Sequence, residues 1–202
     1  MLAIYSLHTQ IGLCQYLIIT NHKMKTIKLL PIALLITVKQ LYAQTTNNKK
    51  EISILINKYA KSVIEKDSTT FYDLFNDGPV TWCAALKDRS QAREVARKGA
   101  GSNYFSGSYK GFFRSLFRYK STEDKFDNIQ IVEDGTVASV TMDYSFWADN
   151  KMTNWGGKYL LLIKRDGKWK ITSVIFSLDL TGYFEQPPLK ERQKSSLPGA
   201  VQ

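Results

Sequence analysis

From Ile52 to Asp67 the apolar positions Ile52, Leu55, Ile56, Tyr59 and Val63 recur at the three-and-four spacing of one buried helix face. That spacing predicts an amphipathic helix of about four turns. Ser68 suits the cap of a second, shorter helix with Phe71, Leu74 and Phe75 on one side, stopped by the turn string NDGP. VTWCAAL, at 80–86, reads as a strand, and SQAREVARKG and YKGFFRSLFRY read as helices. The Gly- and Ser-rich bridge between those helices has the composition of a mobile loop or lid.

Beyond Lys125 the period changes. FDNIQIVED, TVASVTMDYSFWADN, TNWGGKYLLLIKR and KWKITSVIFSLDL are long strands separated by turn signals, with Asp166 and Gly167 the strongest hairpin cue. Helices first and a meander afterwards predict an α+β fold, a curved antiparallel sheet wrapped around the long N-terminal helix. The segment 181–202, which includes QPPLKERQKSSLPGAVQ, lacks periodicity and reads as a disordered tail.

Upstream of the first helix, residues 24–43 have the three-part order of a secretory signal. Lys25 and Lys28 precede an apolar run from Leu29 to Val38, and a short segment ends at Ala43. The run is well short of the roughly 20 residues a spanning helix needs and contains Pro31, so no transmembrane anchor is expected. The chain is therefore expected to be exported, to the periplasm or beyond, with residues 1–23 an upstream extension from a misassigned start. The expected domain occupies 44–180.

Cleavage after Ala43 alters the available chemistry. It removes His8, His22 and Cys14, leaving Cys83 as the single thiol and no histidine. Without histidine, Ser-His and Cys-His nucleophile systems and most zinc sites are excluded, so no metal and no cofactor are expected. A lone cysteine forms no intrachain disulfide. The segment also takes four lysines and no acid, so the formal charge falls from +10 to +6. Much of the excess lies in the helices and loops of 87–120, a stretch able to attract an anionic partner or membrane surface or simply to solvate two helices. No phosphate loop or RNA-binding aromatic signature accompanies it, so no specific nucleic acid is expected.

The order of elements, with INKYAKSVIEKDSTTFYDLFND at the opening and DGKWKITSVIFS at the close, resembles the nuclear transport factor 2-like superfamily, near its SnoaL-like and ketosteroid isomerase-like branches. The resemblance spans about residues 50–180 and implies an α+β barrel-like cone with a mostly apolar pocket. Members use that pocket for several reactions or for none. Resemblance to the steroid isomerases puts Tyr59 where a phenol donates to a developing oxyanion; it is equally readable as a core aromatic. The catalytic aspartate of those enzymes has no counterpart, because Cys83 stands at or beside its place.

Asp143 is the remaining candidate carboxylate, facing either the pocket among hydroxyls or solvent on a polar sheet face. Trp82, Phe112, Phe113, Trp147, Trp155, Ser173 and Ile175 are the expected lining. Ser173 and Ile175 stand near the place where many SnoaL-like proteins carry a histidine. Such a lining is rich in aromatics and poor in titratable groups, which suits holding a flat apolar or aromatic molecule. Two other functions stand beside this one: a lyase or isomerase using Tyr59 and Asp143, and a module binding anionic partners through 87–120. The long strands also allow a homodimer through the sheet face.

Overall fold

In a computed structural model the described residues are 30–195, with side chains from 47 to 192. The upstream extension 1–23 and the start of the signal segment lie outside them. The chain divides into two compact units, Met1–Tyr42 and Ala43–Gln202, and the second contains the whole sheet. The elements of the chain are α1 (Leu30–Glu65), α2 (Ser68–Asp73), β1 (Thr81–Leu86), α3 (Asp88–Lys98), β2 (Tyr104–Ser106), α4 (Tyr109–Ser115), β3 (Thr122–Glu133), β4 (Val137–Ala148), β5 (Lys151–Arg165), β6 (Lys168–Leu180) and α5 (Leu189–Ser195). Among the described residues no helix is long and apolar enough to cross a membrane.

The strands form one six-stranded sheet in the order β2-β1-β6-β5-β4-β3. The α+β prediction holds, with two corrections. β1 runs parallel to β6, because the chain crosses from β1 through α3, β2 and α4 before the meander begins. The sheet is also open, with β2 and β3 at its edges, so the strands of the described residues do not close into a barrel. The hairpins follow from backbone chemistry: Asp149–Asn150 and Asp166–Gly167 have positive φ at both central positions, as the tightest two-residue turns require.

Alternation on the strands decides the inner face. Ala138, Val140, Met142 and Tyr144 of β4 are buried there with Leu160 and Leu162 of β5 and Ile171 and Val174 of β6. Against them pack Ile52, Leu55, Ile56, Tyr59 and Val63 of α1, the face predicted from spacing. Each fully buried side chain of this kind contributes about 1.5–3 kcal/mol. Three register shifts bend the sheet, between Asp127 and Gln130, between Phe146 and Trp147, and between Leu161 and Leu162.

Of the tail 181–202, expected to be disordered, the part up to Arg192 makes specific contacts, and 196–202 lie outside the described residues. Trp155 Nε1 donates to Phe184 O at 2.9 Å, the Tyr183 hydroxyl donates to Glu94 at 2.6 Å, and Arg192 reaches Asp127 and Asp143 at 3.2 and 3.0 Å. Two aromatics and one arginine thus fix the stretch from Thr181 to Arg192, a set of specific contacts that composition does not reveal.

Candidate functional site

β3, β4 and β5 place Asp124, Tyr144 and Lys158 on the inner face, where α1 brings Tyr59 and β6 brings Phe176. Lys158 stands two strands from Asp124. Its stem passes the Tyr144 ring, 4.5 Å from Nζ to the centroid, and Nζ donates to Asp124 Oδ2 at 2.6 Å. The ammonium also lies 5.0–5.7 Å from the ring centroids of Phe126, Tyr59 and Phe176. It is therefore held by one carboxylate and four aromatic faces, each ring adding a cation–π attraction. The two side chains of the ion pair are only 4% and 1% exposed.

Two polar atoms at this site have no partner among the described residues, Tyr59 Oη and Asp124 Oδ1. The phenol lies close enough to Asp124 for the two to interact as donor and acceptor, in a contact looser than a hydrogen bond of full geometry. Burial, then the charge of Asp124, pushes the Tyr59 pKa well above the ordinary phenol value, so the hydroxyl keeps its proton and remains a donor. Burial pulls the Lys158 pKa down, against the opposing pull of Asp124. An unfilled donor, an unfilled acceptor and an amine with spare N–H bonds thus converge. Together they match a ligand oxygen.

Above this layer, half-buried rings reach solvent. Phe112 of α4 stacks on Trp82 at 4.9 Å and meets Phe146 at 6.0 Å, and Phe176 contacts both Trp82 and Tyr144. Ser108 caps α4 by accepting from Gly111 N, which fixes where Phe112 points.

Of the residues expected from sequence, Tyr59, Trp82 and Phe112 lie on the inner side, Trp82 and Phe112 stacked on each other, and Phe113 is plain core against Phe71, with ring centroids 4.7 Å apart. The others lie on the opposite face. Asp143 accepts from Asn128 at 2.6 Å and Arg192 at 3.0 Å and lines an outer hollow of about 260 Å³ with Thr141 and Tyr159. Tyr59 and Asp143 therefore share no cavity. Trp147 donates to Ser145 Oγ under the Lys125 ammonium, and Trp155 is covered by Lys87, Arg89 and Phe184.

Ser173 and Ile175 are misplaced for an identifiable reason. Leu161 pairs with Ser173 but Leu162 pairs with Ile171, so Thr172 is an extra residue that breaks the alternation. Trp169 and Ile171 face the core; Ser173 and Ile175 turn outward. Asp124, Phe126, Tyr144, Lys158 and Phe176 went unrecognised in the sequence. Their signal was parity: Lys158 alternates with Leu160 and Leu162, and Asp124 with Thr122 and Phe126, so each charged residue belongs to a core-facing set.

No protein-family model matches the chain, and no curated protein matches it by sequence. Solved structures do match in shape. A candidate scytalone dehydratase from Novosphingobium aromaticivorans superposes with a TM-score of 0.52 at 14% identity, covering 72% of this chain and 93% of that one. A nuclear transport factor 2-like protein of unknown function from Pseudomonas putida gives 0.52 at 13% identity, covering 71% and 98%. A variant of a Mycobacterium tuberculosis protein of unknown function gives 0.50 at 16%, covering 68% and 75%. With its α1-backed sheet and these neighbours, the chain has the nuclear transport factor 2-like fold.

Proposed function

We propose that this domain is exported and binds a small, flat, largely apolar molecule carrying one polar oxygen group. The observation that supports it is the pair of unpartnered buried atoms, Tyr59 Oη and Asp124 Oδ1, beside the Lys158 ammonium in an aromatic box. The oxygen sits on that polar trio; the flat body takes the place of rings such as Phe112 and Phe176, which are already part-way to solvent. Aromatic side chains give such a body large contact area at low entropic cost. A name carried by one structural neighbour, scytalone dehydratase, denotes an enzyme, but here the reading rests on binding, since Asp143 lies on the opposite face of the sheet from Tyr59.

Native mass spectrometry of the purified protein, compared with its denatured mass, tests for a retained small molecule. Titration of flat aromatic alcohols against Phe112→Ala and Phe176→Ala then tests the location. Weakening of about tenfold or more in each variant is expected, equivalent to roughly 1.4 kcal/mol. Unchanged affinity in both would remove the inner site. The same mass measurement reports export, expected as a chain beginning at Gln44, and subunit number. A dimer would use the outer face, where Tyr159, Leu161 and Ile175 are exposed.

The basic stretch 87–120 receives less support as an anion-binding surface. Arg89 and Lys87 are turned onto buried Asp179, and Arg97 and Lys98 onto Glu94. Salt-insensitive behaviour on anionic vesicles is the expected result.

A further inference from the structure

Four features of the inner site have no use in a passive apolar pocket. Lys158 is a primary amine buried where a Leu or Met would fill the same space. Asp124 Oδ2 is 2.6 Å from its nitrogen, in position to take a proton. Tyr59 Oη, a donor, and Asp124 Oδ1, an acceptor, are buried side by side, neither with a hydrogen bond of full geometry. Buried polar atoms left unpaired are rare in folded proteins and call for an explanation. An aliphatic amine, a proton acceptor and a phenolic donor make up the set that carbonyl capture needs.

We propose that Lys158 captures an aromatic aldehyde or ketone as a protonated imine, which names the ligand class of the site proposed above and rests on that reading. The steps balance within the site. A proton passes from Lys158 Nζ to Asp124, and the freed nitrogen lone pair attacks the carbonyl carbon while the C=O pair moves to oxygen. Tyr59 donates a hydrogen bond to that oxygen as negative charge develops. Through Asp124, the nitrogen's second proton is exchanged for one on oxygen, giving the neutral carbinolamine. Asp124 then protonates the hydroxyl, the C–O bond breaks with its electron pair leaving as water, and the nitrogen lone pair forms C=N⁺. No oxidant or reductant is required.

Charge conservation favours this product. The site begins with one cation on Nζ and one anion on Asp124, and it ends with one cation on the same nitrogen and the same anion. The iminium takes over the surroundings that hold the ammonium, including the Tyr144 face at 4.5 Å and the Phe126 face at 5.0 Å. Burial also favours the neutral amine that must form in passing.

The probe is 6-methoxy-2-naphthaldehyde, incubated with the intact protein and sodium cyanoborohydride, followed by peptide mapping. The matching alcohol, 6-methoxy-2-naphthalenemethanol, reports non-covalent binding alone. Expected is an adduct on Lys158 that forms on the order of tenfold faster than on an exposed lysine such as Lys98, because the bound aldehyde is held beside the amine. Asp124→Asn should slow the adduct, and Lys158→Arg should abolish it while surface labelling continues. If aldehyde and alcohol bind alike and Lys158 stays unmodified, or is modified no faster than Lys98, covalent capture is wrong and the binding site stands. If neither binds and Lys158 stays unmodified, both readings fall. Mapping on the wild type decides the matter even where a variant fails to fold.

Discussion

Lys158 and Asp124 are joined by a 2.6 Å charge-assisted hydrogen bond that spans β4, tying β5 to β3 although those strands are not neighbours. Both ends lie almost wholly out of water. Removing one partner from such a pair leaves a bare charge in the interior, at a cost of about 3–5 kcal/mol, whereas replacing both with apolar residues is often close to neutral. Asp124→Ala and Lys158→Met should each lose stability on that scale. Asp124→Leu combined with Lys158→Met should recover most of it. Urea unfolding checks this, and a double variant no better than the worse single would mean that the pair is itself a net stabiliser and not a feature kept for the ligand.

Tyr59 gives a prediction of opposite sign. Its buried hydroxyl makes only a loose contact to Asp124, short of a hydrogen bond of full geometry, so Tyr59→Phe removes a desolvated group at little cost. Stability near neutral pH should be unchanged or higher by up to about 1 kcal/mol, while affinity for an oxygen-bearing ligand falls. The folded pKa is raised, so the phenol's contribution is constant below its ordinary value of 10.0 and is lost as pH rises beyond it, where the unfolded phenol ionises first. Base-induced unfolding should accordingly begin at higher pH in Tyr59→Phe. An earlier onset would show that the hydroxyl is bonded after all.

At Gly156 the constraint is steric. A methyl group there would lie 2.0 Å from Ser177 O and 2.8 Å from Ser177 C, both backbone atoms of the paired strand. β5 would have to move off β6, displacing Lys158 two residues on. Gly156→Ala should cost at least about 3 kcal/mol or prevent folding, in the range of severe overpacking. Gly101→Ala, with nothing within 4 Å of the added carbon, should be close to neutral. Thermal unfolding of the two variants side by side makes the comparison, and similar melting temperatures would show that β5 and β6 separate easily.

Parity explains what could be read from the chain and what could not. α1 was legible because Ile52, Leu55, Ile56, Tyr59 and Val63 repeat without interruption, and the hairpins because Asp166–Gly167 is chemically distinctive. On β6 the same logic failed at one residue. Thr172 carries no mark of being a bulge, yet it moves Ser173 and Ile175 to the other face. Asp143 had two candidate faces, and alternation with buried Met142 and Tyr144 puts it outside, where it meets Arg192, 49 residues away in a segment whose composition resembles disorder. Lys158 and Asp124 were passed over because lysine and aspartate are almost never fully buried unless paired, and pairing across β4 is a tertiary fact. Their strand parity, weighed above their residue type, would have placed them inside.

The stretch 181–184 yields a pH prediction through Glu94, on α3. This carboxylate accepts from Lys98, from the Tyr183 hydroxyl at 2.6 Å and from Arg97 at 3.0 Å, and these donors, Lys98 first, lower its pKa from 4.5 to about 2. A lowered folded pKa means that the contribution is complete above 4.5 and is lost as pH falls towards about 2. Nearby Asp179 also lies low: its burial alone would raise it, but Arg89, Ser90 and Lys87 together outweigh that effect. The amides of Tyr183 and Phe184, both bonded to Leu180 O, report the local state. Their hydrogen-exchange protection, expressed as a factor so that intrinsic rates cancel, should fall between pH 4.5 and about 2 while the amides of β5 stay protected. Glu94→Gln should lower it already at pH 7. Loss of protection at Tyr183 only together with β5 would mean that the tail and sheet open as one unit and that Glu94 is not the group holding them together.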